Sequence, residues 1–293
     1  MSDGGDGGAL GAAPAAAPSP TSVVSTPIQL SRVTARRCGG RISTILGKPA
    51  TFADPWFFTA DDDLTYVVKV ASSKDRSAFN EAVFGRLARH VELPVPEMAA
   101  ILVPPDLIAD DPQLSAVGFP AGVHVGVSRL PNGSFDLRGD ILTTLGPSIQ
   151  IENEDRLPAT VVYSSWIHDG DHRGNDGNWM LEPKDDNKFA AWVIDFGHSL
   201  GGPGWTAAYL QSIADPNSVL QLGPHRIAAK ACAAPGAFAS ALNRVDNITP
   251  DQLAELVGTV PTDWEPPAGE RAEVGRALVS RRTGVDNLFK AKS

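Results

Sequence analysis

The sequence has few cysteines, no long apolar run and no excess of positive charge. Its 293 residues include only two cysteines, Cys38 and Cys232, too few for a disulfide framework or a cysteine-ligated zinc site. No stretch reaches the roughly 18 consecutive apolar residues that a membrane-spanning helix requires. The formal net charge is −9, which argues against duplex nucleic acid as a partner, because such binding depends on neutralising phosphates.

The remaining composition is that of a globular protein. Hydrophobic residues make up 42% of the chain and charged residues 20%, which suits one large domain or two lobes. Residues 1–27 are rich in Gly, Ala and Pro and are predicted to form a disordered tail. This segment lacks the basic start and apolar core of a secretory signal. We therefore expect a cytoplasmic protein with reduced cysteines and no stable membrane insertion.

Polar side chains flank a predicted β-hairpin in the second half of the chain. Residues 179–181 and 189–194 are apolar and are separated by a charged turn, which is typical of two antiparallel strands. The hairpin would bring Asp171 and Asn178, just before its first strand, close to Asp195, just after its second. Two carboxylates and an amide at one point suit Mg²⁺, which prefers oxygen ligands and binds phosphates at the same time.

These motifs resemble the catalytic core of the protein-kinase-like superfamily, in particular HipA-like kinases and type II phosphatidylinositol 4-kinases. The resemblance implies that Asp171 is the catalytic Asp and that Asp195 binds metal together with Asn178 or Asn175. The family normally places its Asn five residues after the Asp, where this chain has Asp176. Asn178 is preferred as the ligand because it directly precedes the predicted strand, as the family's Asn does.

The same resemblance assigns phosphate binding to a glycine turn near the beginning of the chain. Residues 29–36 are predicted to form a strand and residues 38–44 a turn, whose backbone N–H groups can approach phosphates closely. Gly39, Gly40 and Ser43 are the candidate contacts. The turn does not reproduce the full Gly-x-Gly-x-x-Gly pattern, and an ordinary turn hydroxyl is an equal interpretation of Ser43.

A lysine in an apolar strand and a glutamate in the next helix complete the nucleotide-binding half that the resemblance implies. Lys69 lies in the predicted strand 65–70 and would contact the α- and β-phosphates. Glu81 lies in the predicted helix 79–89, which has apolar residues at helical spacing, and would pair with Lys69. The alternatives are an edge-strand lysine that deters aggregation and a solvated first-turn glutamate.

Residues 122–130 are predicted to be the crossing between two lobes, where a kinase's linker meets the adenine. Ser128 and Leu130 are the candidate contacts at its end. The N-lobe would then span residues 28–130 and the C-lobe residues 131–293.

Two interpretations of the residues around Asp171 stay open. Arg173 would either stabilise the transferred phosphate or pair with an acidic neighbour. A rival to the kinase hypothesis is a metal phosphohydrolase using His168, Asp169 and His172, since two His four residues apart on a helix can bind one metal. Gly170 and Gly174 make a helix unfavourable here, which weakens the rival.

The predicted fold is α+β and two-lobed, with a small antiparallel sheet and one helix followed by a mostly helical lobe. The helices predicted in the second half span residues 142–150, 157–166, 207–213, 224–232, 238–245, 250–257 and 271–289. The predicted function is ATP- and Mg²⁺-dependent phosphoryl transfer, with Ser or Thr of a protein as acceptor, as in HipA-like kinases. Alternatives are a small-molecule or phosphoinositide kinase, and a nucleotide-binding pseudokinase that regulates a partner protein.

Overall fold

The structure, a computed structural model, is a mixed α+β protein. The residues it describes are 29–41, 55–71, 76–130, 149–185 and 187–290. The tail predicted for residues 1–27, the candidate phosphate contact Ser43 and most of the helix predicted at 142–150 lie outside these ranges. Gln150, the last residue of that predicted helix, lies in a short strand instead.

The first part of the described chain forms a closed barrel of five strands. The strands are β1 (Ser31–Arg41), β2 (Trp56–Ala60), β3 (Thr65–Lys69), β4 (Met98–Val103) and β5 (Gly122–Ser128). Around the barrel their order is β1-β2-β3-β5-β4, and β1 pairs with β4 in parallel while the other pairs are antiparallel. Aromatic and aliphatic side chains such as Trp56, Phe58 and Ile101 fill the interior. The predicted small antiparallel sheet is therefore a closed barrel in which one strand pair, β1–β4, is parallel.

Two predictions about this part of the chain were wrong because long-range strand pairing decides the local structure. Gly39 and Gly40 lie inside β1, where Gly40 pairs with Phe57 of β2, and do not form a separate turn. A Cβ on Gly39 would lie 3.1 Å from that of Phe57, so the glycine permits close strand packing. Residues 122–128, predicted as a crossing, form β5 between β3 and β4, and only Arg129 and Leu130 follow the strand.

The first helix, α1 (Ser77–His90), packs between the barrel and the rest of the molecule. It confirms the predicted helix 79–89 and extends it at both ends. Phe79, Val83 and Leu87 recur every four residues and are all buried. A Cβ on Gly85 would come within 2.1 Å of the Met98 sulfur, so the helix approaches β4 closely at this point.

Two short helices in the barrel half, α2 (Pro105–Asp110) and α3 (Pro112–Ala116), were not predicted. The Asp111 side chain accepts hydrogen bonds from the backbone N–H groups of Gln113 and Leu114, so it caps α3. An Asp followed by Pro is a typical helix start, and this local signal was available in the sequence.

The second part combines a small sheet with helices. Its strands are β6 (Gln150–Ile151), β7 (Trp179–Asp185) and β8 (Lys188–Val193), in the order β6-β8-β7. Its helices are α4 (Pro158–Trp166), α5 (Asp171–Gly174), α6 (Ala207–Ile213), α7 (Ala229–Cys232), α8 (Ala239–Asn247), α9 (Pro250–Gly258) and α10 (Ala268–Phe289). The antiparallel pair β7–β8 confirms the predicted hairpin. The helix predicted at 224–232 is shorter, since only its last four residues are helical.

The long helix α10 fixes the end of α4, which leads directly into the candidate catalytic loop. Arg281 is fully buried and its guanidinium donates to the carbonyls of Ser165 (2.7 Å), Trp166 (2.6 Å) and Ile213 (2.8 Å). The cation therefore sits at the negative end of the α4 dipole. Burial lowers the pKa of Arg281 to about 10, which still leaves it charged at neutral pH. No helix among the described residues is both long enough and apolar enough to cross a bilayer.

Two glycines of α10 should respond oppositely to alanine. A Cβ on Gly284 would lie 2.1 Å from the backbone oxygen of Pro216, whereas a Cβ on Gly275 would meet nothing within 4 Å. Gly284→Ala should therefore lower the free energy of unfolding by about 1–3 kcal/mol through overpacking. Gly275→Ala, its matched control, should raise it by up to about 1 kcal/mol because alanine favours helix. Urea unfolding measures both, and equal effects would contradict this packing.

Candidate active site

A cleft of about 230 Å³ lies between the barrel and the loop–hairpin of the second part. It is lined by Pro55, Val67, Lys69, Glu81, Pro96, Val127, Ser128, Gly177, Asn178, Trp179, Met180, Ile194 and Asp195. It thus brings together a lysine, two carboxylates and an amide. A larger groove of about 860 Å³ between α9 and α10 holds no carboxylate or amide side chain, so its chemistry is less suited to catalysis.

Lys69 connects three elements at the cleft wall. Its ammonium lies 3.0 Å from Glu81 Oε2 on α1 and 2.7 Å from Asp195 Oδ1 after β8. Burial alone would lower the pKa of Lys69, but the two carboxylates outweigh burial and raise it above its usual range. For Glu81, which is 2% exposed, burial raises the pKa although Lys69 opposes this. For Asp195, burial raises the pKa but the Lys69 charge prevails and the net shift is downward.

Asp195 is held in an unusual backbone conformation. Its φ of 68° lies in the left-handed region, which non-glycine residues rarely adopt and which is found often at functional sites. Phe196 anchors the segment, because it is buried and packs edge-on against Tyr163. A Cβ on Gly197 would lie 3.3 Å from Asp195 Oδ1, so the glycine leaves room for the carboxylate.

Asp171 is oriented by the two asparagines that follow it. It is the first residue of α5, and its Oδ2 accepts a hydrogen bond of 2.7 Å from Asn178 Nδ2. Asn175 Nδ2 lies 3.4 Å from both Asp171 oxygens and donates to Asn178 Oδ1 at 3.2 Å. Asn178 lines the cleft with Asp195, whereas Asn175 is exposed and does not. The structure thus connects Asp171 to the cleft through Asn178.

A family model described as HipA-like kinase matches residues 42–201, more than half of the chain. The chain belongs to the HipA-like kinase family. The match covers Lys69, Glu81, Asp171, Asn178 and Asp195, and the resemblance inferred from the sequence is confirmed at the family level. No curated protein shows a significant match to the chain.

A solved structure supports the same fold. The crystal structure of the Helicobacter pylori proinflammatory kinase CtkA aligns with a TM-score of 0.53 and 10% sequence identity. The alignment covers 83% of this chain and 93% of that chain. At so low an identity the likeness shows a shared fold and nothing about the substrate.

In this HipA-like kinase a residue without a predicted role, Asn80, holds α1 against the segment after Asp195. Its side-chain amide donates to the carbonyls of Gly197 (3.0 Å) and Ser199 (2.9 Å), and its oxygen accepts from Trp205 Nε1 (2.9 Å). Because Asn80 directly precedes Glu81, these bonds also align the glutamate with Lys69. The sequence signals for it were a polar residue on an otherwise apolar helix face and the resemblance of the Asn80-Glu81 pair to HipA-like kinases.

The residues of the rival phosphohydrolase hypothesis instead make structural contacts that support the catalytic loop. Asp169 is buried, accepts from the Ser199 hydroxyl (3.1 Å) and lies within 3.4 Å of His172. A short helix does form at residues 171–174, contrary to expectation, but His168 precedes it with a φ of 56°. The two histidines therefore do not share a helix face. Across the described residues no group of three or more His, Cys, Asp or Glu is arranged to hold a metal.

Of the other residues predicted to contact the nucleotide or the phosphate, some line the cleft and others do not. Ser128 lines the cleft, whereas Leu130 is buried and does not, and neither Gly39 nor Gly40 of the described strand β1 reaches it. Arg173 is exposed next to Asp171, and within the described part of the chain it has no ion-pair partner. Of its two interpretations, pairing with an acidic neighbour is therefore not what the structure shows.

Stability should depend on pH in opposite directions at two buried histidines. Burial lowers the pKa of His172, but the Asp169 carboxylate outweighs it and the net pKa is raised. The stability from protonated His172 is then complete below about pH 6.5 and is lost as pH rises through the folded-state pKa. The difference in unfolding free energy between wild type and His172→Asn should shrink between about pH 6 and pH 8.

His124 provides the control. It accepts from the Ala71 backbone N–H (3.1 Å), and burial lowers its pKa. Its neutral form is favoured in the fold, so stability is lost as pH falls below about 6.5. The difference between wild type and His124→Asn should therefore grow as pH rises from about 5 to 7. Urea titrations without added metal that give the same pH trend for both variants would contradict these assignments.

Proposed function

We propose that the chain is an ATP- and Mg²⁺-dependent kinase that transfers the γ-phosphate to a hydroxyl, with Ser or Thr of a protein as the acceptor. The observation that carries the proposal is the cleft in which Lys69, held by Glu81 and Asp195, faces Asn178 and the Asp171 it binds. Membership of a kinase family supports phosphoryl transfer as the reaction.

The barrel and the helical part would act as the two lobes of the kinase. Val67 and Val127 line the cleft from the barrel, and Met180 and Ile194 line it from the hairpin side. Apolar side chains from both sides suit a flat adenine ring, while the polar end of the cleft suits phosphates. Lys69 would then neutralise phosphate charge, with Glu81 and Asp195 holding its ammonium in place at the cleft wall.

The donor set fits Mg²⁺. Asn178 and Asp195 offer one amide oxygen and one carboxylate, and Mg²⁺ usually binds one or two carboxylates together with phosphate oxygens. When bound there, the ion would neutralise negative charge on the phosphates of ATP. Asp195 also contacts Lys69, so the chain's own lysine and carboxylate fix where the phosphates can lie.

Asp171 would orient the acceptor hydroxyl and accept its proton. The Asn178 amide donates to Asp171 Oδ2 at 2.7 Å, while the one hydrogen bond of Oδ1 to another described residue is the 3.4 Å contact with Asn175. Oδ1 is thus the oxygen available to a hydroxyl. Arg173, exposed and without an ion-pair partner among the described residues, would stabilise the transferred phosphate.

A pseudokinase is the second candidate, because Asp176 stands where the family has its Asn. The position of Asn178 weakens this alternative, since an amide is present in the cleft despite the changed spacing. Small-molecule and phosphoinositide acceptors remain alternatives within the kinase class. Incubation with γ-labelled ATP and each acceptor type distinguishes them by which one carries the label.

Replacing the proposed base should slow phosphoryl transfer strongly and spare the fold. Asp171→Asn should lower turnover by about 10²- to 10⁴-fold, the usual contribution of a positioned general base. Its affinity for ATP should stay within a factor of a few of wild type. Label transfer from γ-labelled ATP measures turnover, and Asp106→Asn, an exposed carboxylate on α2, is the control. Full activity of Asp171→Asn would remove this residue from catalysis.

Replacing Glu81, the partner of Lys69 on α1, should weaken ATP binding. Glu81→Gln removes the buried charge that holds the ammonium, and the loss of a charge-assisted hydrogen bond is worth about 1.5–3 kcal/mol. ATP affinity should therefore fall by about tenfold or more. Glu97→Gln is matched to it, because Glu97 pairs with Arg89 on the exposed surface at 3.3 Å. Calorimetric titration with equal affinities for both variants would refute the role of Glu81.

A further inference from the structure

Asp176 faces away from the cleft and is bound by a distant segment. Its Oδ1 lies 2.7 Å from His225 Nε2 and 3.1 Å from Arg226 Nε, and its Oδ2 accepts from Arg226 Nη2 at 2.7 Å. We propose that Asp176, His225 and Arg226 are positioning residues that turn the 175–178 segment so that Asn178 presents its amide to the metal. This inference rests on the proposed function.

The geometry of the turn links the two side chains. Asp176–Asn178 form one turn of 3₁₀ helix, in which three residues complete a turn. Side chains two positions apart therefore point about 120° away from each other, and both cannot face the cleft. With Asp176 held outward, Asn178 points inward, where it is 3% exposed and lines the cleft. The contacts of Asp176 with His225 and Arg226, called the clamp below, thus leave Asn178 rather than Asp176 facing the cleft.

His225 reaches the turn from its outer side in a defined protonation state. Its Nδ1 accepts the Ile227 backbone N–H (3.3 Å), so Nε2 carries the hydrogen that is donated to Asp176. Burial lowers the pKa of His225, which favours this neutral form. The imidazole also stacks on Trp179, with ring centroids 4.9 Å apart and planes at 18°. Two neighbours of Asn178, residues 176 and 179, are therefore fixed by one side chain.

The rest of the turn is fixed by the catalytic loop and the hairpin. The Trp179 indole donates to the carbonyl of His172 (2.9 Å), and the Ile194 N–H donates to the carbonyl of Asn178 (2.9 Å). Asn175 Oδ1 accepts from the Gly177 N–H (3.0 Å). These bonds hold the backbone near Asn178, and the Asn178 side chain is itself bonded to Asp171 on the inner side of the turn. The contacts of His225 and Arg226 act on the outer side, where they hold Asp176 away from the cleft.

The Asp176–Arg226 ion pair should matter more for metal binding than for stability. Asp176 and Arg226 are 40% and 41% exposed, and an ion pair so exposed contributes only about 0–1 kcal/mol to folding. Residues that orient a metal ligand, by contrast, typically change metal affinity by about 10- to 100-fold when replaced. The two effects can therefore be measured separately.

The test is the Mg²⁺ dependence of nucleotide binding by the full chain. A non-hydrolysable ATP analogue is titrated calorimetrically with Mg²⁺ and again with EDTA, for wild type, Asp176→Ala, His225→Ala and the double variant. Lys230→Ala is the matched control, because Lys230 forms a solvent-exposed ion pair with Glu154 (2.9 Å) that is not part of these contacts. Thermal unfolding of each variant monitors the fold.

Both single variants should lose about 10- to 100-fold of the affinity measured with Mg²⁺ and keep the affinity measured with EDTA. The double variant should be no weaker than the singles, because both remove the same clamp. Mg²⁺-dependent affinity within twofold of wild type in a folded Asp176→Ala would overturn the clamp while leaving the proposed function standing, as would equal losses with and without Mg²⁺. A wild-type chain that binds no nucleotide under either condition would overturn both.

Discussion

The site depends on one shared cation. The Lys69 ammonium lies between Glu81 and Asp195, and through them it joins a barrel strand, the first helix and the end of the hairpin. Glu81 is almost completely buried, and a buried carboxylate without a partner costs several kcal/mol. The three elements must therefore be held in contact, and several buried interactions around them serve that requirement.

Buried polar contacts from α1 provide most of this alignment. Asn80 binds the backbone after Asp195, and the Tyr163 hydroxyl on α4 donates to the carbonyl of Phe84. Further along the helix, Arg86 donates to the carbonyl of Leu256 on α9. Each of these groups is buried and satisfied, so a shift of α1 would leave several of them without partners at once. The position of Glu81 is in this sense set by residues that never reach the cleft.

The elements that could be predicted from the sequence are those that a local residue pattern determines. The hairpin of β7 and β8 followed from two apolar runs around a charged turn, and α1 followed from apolar residues at helical spacing. The predictions at Gly39, Gly40 and residues 122–128 were wrong because strand partners more than fifteen residues away determine those segments. Local composition indicates a turn there, and only the closed barrel shows that the chain continues as strand.

The same distinction applies to the candidate site. Motif order pointed to Lys69, Asp171 and Asp195, because a lysine, an Asp and an Asp-Phe-Gly follow one another along the chain as they do in the kinases it resembles. The contacts of Asn80 could not be predicted, because its partners at 197, 199 and 205 lie more than a hundred residues away. Asp176 was visible only as a departure from the expected spacing. Its partners at 225 and 226 follow from packing, which one sequence cannot reveal.

The burial of Arg281 has a consequence for the order in which the structure can form during synthesis. This guanidinium, on the last described helix, binds the carbonyls that end α4, immediately before the catalytic loop. On a ribosome, the loop would be synthesised more than a hundred residues before its support exists. A nascent chain therefore gains this buried partner for the end of α4 only when translation has passed position 281.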